Sequence, residues 1–293
     1  MRAPSDPARR AELVAQAEQT IRAGSKSFRA ASRLFDRPTR ERAWLLYAWC
    51  RHCDDACDGQ TLGFPGGAAT IASAQVKALT MRALAGERLG LLPYDALAQV
   101  AGECGIPARL IRDHLAGFAL DEAGWRPADE ADLLRYCYHV AGAVGGMMAV
   151  VMGVPAGDEA TLARACDLGI AFQLSNIARD IAEDRAAGRC YVPAEWLAEQ
   201  GLAAADPAAP ALLPLVRRIV DLAAHYEGSA LPGVARLPFR ARWAVLSARG
   251  IYGRIGRKVG ALGASAWDRR VTVRRREKLQ VMAGALAAAA LAR

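Results

Sequence analysis

The sequence predicts an all-α protein, and three observations support this fold class. Alanine, the strongest helix former, is abundant, and aromatic residues make up only 6% of the chain. Apolar residues recur with helical spacing over long segments, and no segment alternates as a half-buried strand does. We therefore expect helices packed around one hydrophobic core.

Ten helices follow from this spacing, and glycine or proline marks the breaks between them. The glycine-rich segment 63–67 separates the second helix from the third, and Gly105-Ile106-Pro107 separates the fourth from the fifth. The segment 153–157 separates the sixth helix from the seventh, and the Ala/Pro-rich segment 203–214 marks the break before the eighth. The predicted helices cover residues 8–23, 39–58, 69–85, 93–104, 107–121, 131–152, 158–185, 209–228, 239–262 and 272–290.

No linker is long or polar enough to divide the chain. The expected organisation is one helical domain over residues 1–293, with its core at about residues 20–280. No apolar run reaches the roughly 18 residues that mark a membrane span. The seven cysteines are scattered and odd in number, which favours free thiols in a reducing cytoplasm. We therefore expect a soluble, cytoplasmic protein.

The formal net charge is +8, so the surface suits an anionic partner. A nucleic acid is not expected, because no aromatic-basic recognition motif accompanies the charge. Anionic lipid, a phosphorylated substrate or simple solvation of a helix face all remain open. Much of the excess charge lies in one C-terminal cluster, formed by Arg269, Arg270, Arg274, Arg275, Arg276 and Lys278.

The second predicted helix ends in an acidic motif. At 100° per residue, Tyr47, Arg51, Asp54 and Asp58 fall within about 40° of one another. The seventh helix repeats the arrangement, because Gln173, Asp180 and Asp184 share a face and Asn176 lies about 60° away. Each helix therefore presents two carboxylates one turn apart.

Paired carboxylates of this kind predict a magnesium site. Carboxylates at i and i+4 repel each other by a few tenths of a kcal/mol, so something must offset the repulsion. Magnesium binds through a few carboxylates together with water and substrate phosphates. Solvated faces are the alternative, but they usually mix acids with lysine, and these helices are otherwise apolar. Two facing helices would then hold magnesium ions bridged by diphosphate.

A zinc site built from Cys50, Cys53, Cys57 and His52 is a further alternative. The cysteines share a stripe away from the aspartates, whereas His52 points elsewhere. Structural zinc sites usually pair closely spaced cysteines on loops. Packing of the three cysteines as small apolar residues is therefore the preferred interpretation.

Three weaker features are also candidates. The segment Ser25-Lys26-Ser27 after Gly24 suits a phosphate oxygen, although a helix cap explains it equally well. Tyr136 shares a face with Val140, either as a reacting group or as a hydrogen-bonded core tyrosine. The segment 189–193 either closes over the site or only ends the acidic helix.

Together these residues resemble the squalene/phytoene synthase family, and within it the bacterial members that make phytoene. The resemblance covers nearly the whole chain. It rests most specifically on the two acidic motifs with Tyr136-Cys137-Tyr138-His139-Val140-Ala141-Gly142 between them. The further matching stretches are 25–28, 46–58, 113–118, 136–146, 166–184, 189–193 and 266–268.

The resemblance implies an all-helical isoprenoid-synthase fold with a central cavity. It implies Mg²⁺, replaceable by Mn²⁺, held by Asp54, Asp58, Asp180 and Asp184, with Asn176 as an additional candidate. A nicotinamide cofactor is not expected, since no glycine-rich dinucleotide motif is present. Tyr136, Arg51 and Tyr47 are implied in catalysis. The implied diphosphate-binding residues are Ser25, Lys26, Ser27, Gln173, Asn176, Arg179 and Tyr252.

The implied reaction is head-to-head condensation of two geranylgeranyl diphosphates to 15-cis-phytoene through prephytoene diphosphate. Magnesium with Arg51, Lys26 and Arg179 would stabilise the departing diphosphate. An apolar cavity would keep water from the cations. Tyr136 and the released diphosphate are both candidates for accepting the final proton.

Two places depart from the family pattern, and two other functions stay open. Cys57 and Gly59 stand where similar enzymes often carry an aliphatic residue and a further aspartate. One alternative is a C30 enzyme that makes squalene or dehydrosqualene from farnesyl diphosphate, although the small Ala31 and Ser32 suit a longer pocket. The other alternative is a non-catalytic assembly or binding protein.

The expected partners follow from the expected product. Because a C40 hydrocarbon does not dissolve in water, we expect peripheral contact of the basic surface with the inner face of a membrane. Neighbouring carotenoid-pathway enzymes are further expected partners.

Overall fold

A computed structural model describes residues 6–24, 31–58, 60–61, 64–65 and 70–291, with side chains described for 6–24, 31–57 and 70–291. Most of these residues are helical, so the all-α prediction is confirmed. The helices are α1 Pro7–Gly24, α2 Arg37–Asp58, α3 Ser73–Leu84, α4 Leu92–Cys104, α5 Ala108–Glu122, α6 Glu130–Cys137, α7 Ala143–Val151, α8 Glu159–Ala186, α9 Ala194–Glu199, α10 Leu212–Ser229, α11 Leu231–Ala235, α12 Phe239–Leu262 and α13 Arg275–Leu291.

One predicted helix differs from the observed structure. The segment 131–152 contains a π-helical turn, Tyr138–Gly142, between α6 and α7. The Tyr138 hydroxyl donates to Asp113 Oδ2 at 2.7 Å, and His139 Nδ1 lies 2.9 Å from the Asp113 carbonyl oxygen. The turn therefore bonds to α5, a tertiary contact that apolar periodicity does not report.

Several short elements were missed by the sequence analysis. They are the helices α9 and α11, a 3₁₀ turn at Gly263–Trp267, and an antiparallel pair of strands, β1 Gln60–Thr61 and β2 Phe64–Pro65. Each is too short for a period to be read. Tertiary contacts hold at least one of them, since Trp267 Nε1 donates to the Ala178 carbonyl of α8 at 3.1 Å.

Helix α8 runs through the middle of the molecule and packs against the π turn, α7, α10 and α12. Glycine allows its closest contact. A Cβ at Gly169 would lie 2.3 Å from the Ala141 carbonyl oxygen, and one at Gly145 would lie 2.3 Å from that of Ala165. These two glycines therefore let the backbone of α8 contact the backbones of the π turn and α7.

Two clusters of buried apolar residues meet along α8. One includes Trp49 of α2 and the start of α8, and the other includes Trp196 of α9 and the rest of α8. Polar caps begin helices α6 and α8. Asp129 accepts from the Asp132 amide at 2.8 Å, and Asp158 accepts from the Thr161 amide at 3.1 Å.

The described helices include none with the length and apolar character needed to cross a bilayer. The basic cluster lies before and at the start of α13 and is mostly exposed. The other end of α13 packs beside the start of α12, where Arg242 Nη1 donates to the Ala289 carbonyl at 3.1 Å.

Candidate active site

The predicted acidic motifs meet in one cavity of about 320 Å³. Asp54 from the end of α2 lines it together with Asp180 and Asp184 from the end of α8. Asp58 ends the same helix as Asp54, but its side chain lies outside the described residues. Three of the four predicted carboxylates therefore face a common space.

The α2 side of the site contains a cationic group beside the aspartate. Arg51 Nη1 lies 3.7 Å from Asp54 Oδ2 and 3.8 Å from Asp55 Oδ1. Its Nε donates to the Tyr47 hydroxyl at 3.3 Å, and the guanidinium lies 5.8 Å from the centre of the Tyr47 ring. The predicted grouping of Tyr47, Arg51 and Asp54 is thus seen in the structure.

Asp180 is held by two arginines from different parts of the chain. Arg179 Nε donates to Asp180 Oδ1 at 2.6 Å, and Arg270 Nη2 lies 3.1 Å from Oδ2. Arg179 is not among the residues that line the cavity. Arg270, from the basic cluster, was not predicted at the site. The structure therefore brings part of the C-terminal positive charge to the acidic cavity.

Asp184 is a carboxyl of the cavity whose pKa is strongly raised. Burial and, after it, the negative charge of Asp180 one turn away raise its pKa to about 7, although Arg189 opposes the shift. A cation bound beside Asp184 would stabilise its ionised form. The repulsion expected from the sequence is therefore present in the fold.

The polar residues of α8 face the same cavity as its aspartates, as predicted. Gln173 and Asn176 both line the acidic cavity, and Asn176 Nδ2 donates to Gln173 Oε1 at 3.4 Å. Their amide oxygens add to the hard donors around the space.

Tyr136 also lines the acidic cavity, where it belongs to a cluster that the sequence analysis missed. Its hydroxyl donates to Asp121, which also accepts from Tyr191. Tyr136 stacks on Tyr191 with 4.8 Å between ring centres and on Trp125 with 5.5 Å. The only sequence signal for Asp121 was an acidic residue at the end of an apolar helix.

The segment 189–193 contributes to the site and does more than end a helix. Arg189 and Tyr191 both line the acidic cavity. Gly188 ends the preceding turn with a φ of 74°, a left-handed conformation that favours glycine. The segment therefore forms part of the cavity wall.

A second cavity of about 460 Å³ adjoins the first and is mostly apolar. Asp54, Val140 and Asn176 line both cavities, so the two spaces meet at these residues. Tyr252 lines the apolar cavity and stacks on Phe172 with 4.1 Å between ring centres. Small and apolar side chains form much of the remaining wall, including Ala31, Val144, Met148, Ala149, Leu168, Val234, Leu237 and Ala244.

Buried His114 also lines this apolar cavity. Burial lowers the pKa of His114 to about 4, so the imidazole is neutral at physiological pH. Its Nδ1 lies 3.2 Å from the His139 carbonyl oxygen, which identifies Nδ1 as the protonated nitrogen. The histidine therefore adds no charge to a space suited to a hydrocarbon chain.

The serine-lysine-serine segment and the possible zinc site are the remaining predicted features. Ser25, Lys26 and Ser27 lie outside the described residues. In the described part of the chain, no group of three or more His, Cys, Asp or Glu side chains is arranged to hold a metal ion. Cys53 is fully buried, and burial raises the pKa of its thiol, which supports the preferred interpretation over zinc.

An acid-lined cavity that meets an apolar one inside a helical protein is the arrangement expected of an isoprenoid synthase. The sequence profile of the squalene/phytoene synthase family matches residues 21–277. The chain belongs to the squalene/phytoene synthase family, and it is a prenyltransferase-type enzyme as predicted.

Similar proteins include a phytoene synthase of Pseudescherichia vulneris, which is 48% identical over 93% of this chain and 91% of its own. A 15-cis-phytoene synthase of Pantoea ananas is 47% identical over the same shares. Among solved structures, a dehydrosqualene synthase in complex with a ligand superposes with a TM-score of 0.84 at 26% identity, covering 97% of this chain and 99% of its own. The predicted isoprenoid-synthase fold is confirmed by this likeness.

Proposed function

We propose that this protein is a phytoene synthase. It condenses two geranylgeranyl diphosphates head to head, through prephytoene diphosphate, and releases two diphosphates. The observation that carries the proposal is the junction of an acidic and an apolar cavity at Asp54, Val140 and Asn176. A prenyl diphosphate has one charged end and one hydrocarbon end, and the two cavities match these ends. The high identity to phytoene synthases supports the C40 product.

Magnesium fits the residues of the acidic cavity. Asp54, Asp180 and Asp184 are hard oxygen donors, and the amide of Asn176 lies beside them. Mg²⁺ keeps several waters and shares substrate phosphates, so it does not need a complete protein cage. When bound, it would neutralise the charge that develops on the leaving diphosphate. Asp58 is expected to join these ligands by its place in the motif.

The side chains around the junction have separate roles in this proposal. Arg51 and Arg189 supply positive charge beside the carboxylates, where the diphosphate would lie. The apolar cavity excludes water from the carbocations. Tyr252 and Phe172 present a stacked pair of rings along one wall, where they can contact the prenyl chain.

Of the two candidate proton acceptors, the geometry favours the released diphosphate. The Tyr136 hydroxyl already donates its proton to Asp121. Burial and the Asp121 charge raise the pKa of Tyr136 well above its usual value, so the phenol stays neutral. A neutral phenol is a poor base, whereas diphosphate carries several basic oxygens.

Product analysis tests the proposal directly. The purified enzyme is incubated with Mg²⁺ and either geranylgeranyl or farnesyl diphosphate, and the hydrocarbons are identified. We expect phytoene from the C20 substrate at a rate at least about tenfold above any C30 product. A faster conversion of farnesyl diphosphate to a C30 hydrocarbon would instead assign the squalene or dehydrosqualene reaction.

The metal assignment is tested with Asp54→Ala and Asp180→Ala. We expect each to lower kcat by at least about a hundredfold at saturating Mg²⁺, because each removes a donor from the charge-stabilising site. Glu159→Gln is the control, since Glu159 lies at the exposed first position of α8 and outside the cavity. Turnover within twofold of wild type in either aspartate variant would remove that residue from the metal site.

The proposed product also implies where the enzyme works. A C40 hydrocarbon leaves the active site only into another apolar phase, so contact with a membrane belongs to the proposal. Enzymes that supply the C20 diphosphate or desaturate the product are proposed neighbours.

A further inference from the structure

We propose that the outer surface of α11, the start of α12 and the end of α13 form a face that docks on a bilayer containing anionic lipid. We call this the docking face and define it by Leu231, Phe239, Leu286 and Leu291 with Arg236 and Arg240. The proposal rests on the proposed function for its purpose, because a hydrocarbon product needs an exit to lipid.

Large apolar side chains are unusually exposed on this face. Leu231 is 40% exposed, Phe239 46%, Leu286 39% and Leu291 84%. Small apolar residues surround them, since Ala283, Gly284, Ala287, Ala288 and Ala290 on the same end of α13 are exposed too. Grouped apolar exposure of this kind marks an interaction surface, whereas single exposed leucines do not.

One arginine ties the three segments of the docking face together. Arg242 Nη1 donates to the Ala289 carbonyl of α13 at 3.1 Å, and its Nη2 donates to the Ala235 and Leu237 carbonyls at 2.9 and 3.0 Å. The end of α13 therefore lies beside the turn between α11 and α12. The exposed leucines and Phe239 belong to one region of the surface.

The docking face is the outer side of the wall of the apolar cavity. Ala230, Gly233, Val234 and Leu237 line that cavity from the inside. Leu231, on the same five-residue helix α11, is exposed on the outside. Only one short helix therefore separates the proposed prenyl site from the surface, so a displacement of α11 would open the cavity onto whatever covers this face.

Charge indicates that the covering partner is an anionic bilayer. No acidic residue occurs in the sequence between Glu227 and Asp268, whereas Arg236 and Arg240 are both exposed beside Phe239. Arg236 Nη2 lies 3.4 Å from Asp158 Oδ2, but Asp158 also caps α8 through the Thr161 amide, and the Arg236 side chain remains 68% exposed. Exposed apolar side chains with arginines beside them match the boundary between lipid headgroups and acyl chains.

This face differs from the surface expected from the sequence. The basic cluster that suggested membrane contact lies at the opposite end of α13, where Arg270 bonds to Asp180 at 3.1 Å. Helix α12 has 24 residues and spans about 36 Å between these two ends. A bilayer on the docking face would therefore leave the acidic cavity open to a water-soluble metal and diphosphate.

The experiment is co-sedimentation of the full-length enzyme with vesicles of phosphatidylcholine alone or with 30% phosphatidylglycerol. The test variant is Leu231→Glu/Phe239→Glu, and Arg236→Gln/Arg240→Gln tests the charge. The control is Leu262→Glu at the other end of α12, because Leu262 is 51% exposed and therefore comparable to Phe239. Phytoene formation in detergent micelles is measured for every variant.

We expect wild type and Leu262→Glu to bind the anionic vesicles equally. The Leu231/Phe239 variant should bind at least about tenfold more weakly, and the arginine variant should lose the preference for anionic lipid. Phytoene formation in micelles should stay within about twofold of wild type for every variant.

Equal vesicle binding by the Leu231/Phe239 variant and wild type would overturn the proposal. A dimer of the enzyme that this variant breaks, without vesicle binding, would assign the face to a second copy and also overturn it. Loss of phytoene formation in every protein, with vesicle binding intact, would count against the function alone.

Discussion

The Tyr136 hydroxyl lies 3.0 Å from each carboxylate oxygen of Asp121, and Tyr191 donates to one of the same oxygens at 2.9 Å. The two tyrosine rings stack with 4.8 Å between their centres. One carboxylate therefore fixes two phenols on the wall of the acidic cavity. Charge-assisted bonds of this kind are stronger than neutral ones.

We predict that Asp121→Asn lowers kcat by about tenfold to a hundredfold while the enzyme stays folded. An asparagine offers one acceptor oxygen and a neutral amide, so it cannot hold both phenols in place. Steady-state kinetics and thermal denaturation check the two parts. Glu122→Gln is the control, because Glu122 lines the same cavity but accepts from the Ser73 amide at 2.9 Å. A variant with wild-type kcat would show that the phenols need no fixed position.

Gly169 allows α8 to touch the π turn, and we predict that Gly169→Ala destabilises the protein by about 2 kcal/mol or more. The new Cβ would lie 2.3 Å from the Ala141 carbonyl oxygen, which is backbone and cannot rotate away. In contrast, a Cβ at Gly228 of α10 meets nothing within 4 Å. Gly228→Ala should therefore stabilise by about 0.5–1 kcal/mol through helix propensity. Urea denaturation of both variants checks the contrast, and equal midpoints would contradict it.

Long helices could be predicted from the sequence because burial of one face imposes a period of 3.6 residues. The segment 239–262 matches α12 residue for residue, and 158–185 matches α8 within one residue. The π turn could not be predicted, because the contacts of Tyr138 and His139 with Asp113 come from a distant helix. Short elements such as α9 could not be predicted either, because tertiary packing decides whether they form.

The residues of the site likewise fall into those that the sequence predicts and those that only the fold shows. Asp54, Asp180 and Asp184 could be found because helical spacing aligns them, and the cavity brings them together. Asp121 and Arg270 each reach the site from elements without a repeating polar pattern. Only the fold shows that such residues share a cavity, so sequence reasoning alone leaves them out.

Ala244 of α12 lines the apolar cavity two turns from Tyr252, at a distance of about 12 Å along the helix axis. We predict that Ala244→Leu shortens the space for the prenyl chain and raises the ratio of C30 to C40 product at least about tenfold. The added volume competes with the last isoprene unit of the C20 chain and leaves room for the C15 chain. Product ratios from mixed C15 and C20 diphosphates check this. Ala98→Leu on α4, outside the cavity, is the control, and an unchanged ratio in Ala244→Leu would place the chain end elsewhere.

Asp184 links the stability of the fold to its proposed metal. Its pKa is raised from 3.8 to about 7, so between these values the folded protein holds a proton that the unfolded chain releases. Stability therefore falls as pH rises from about 4 to 7, and the penalty is complete above pH 7. Asp184→Asn removes this penalty, because an asparagine side chain does not ionise. In EDTA we expect the variant to melt above wild type at pH 8, with the difference shrinking towards pH 4, and to be nearly inactive at pH 8 with Mg²⁺. Thermal denaturation from pH 4 to 8 tests this, and a gap that does not change with pH would mean that Asp184 is ionised throughout.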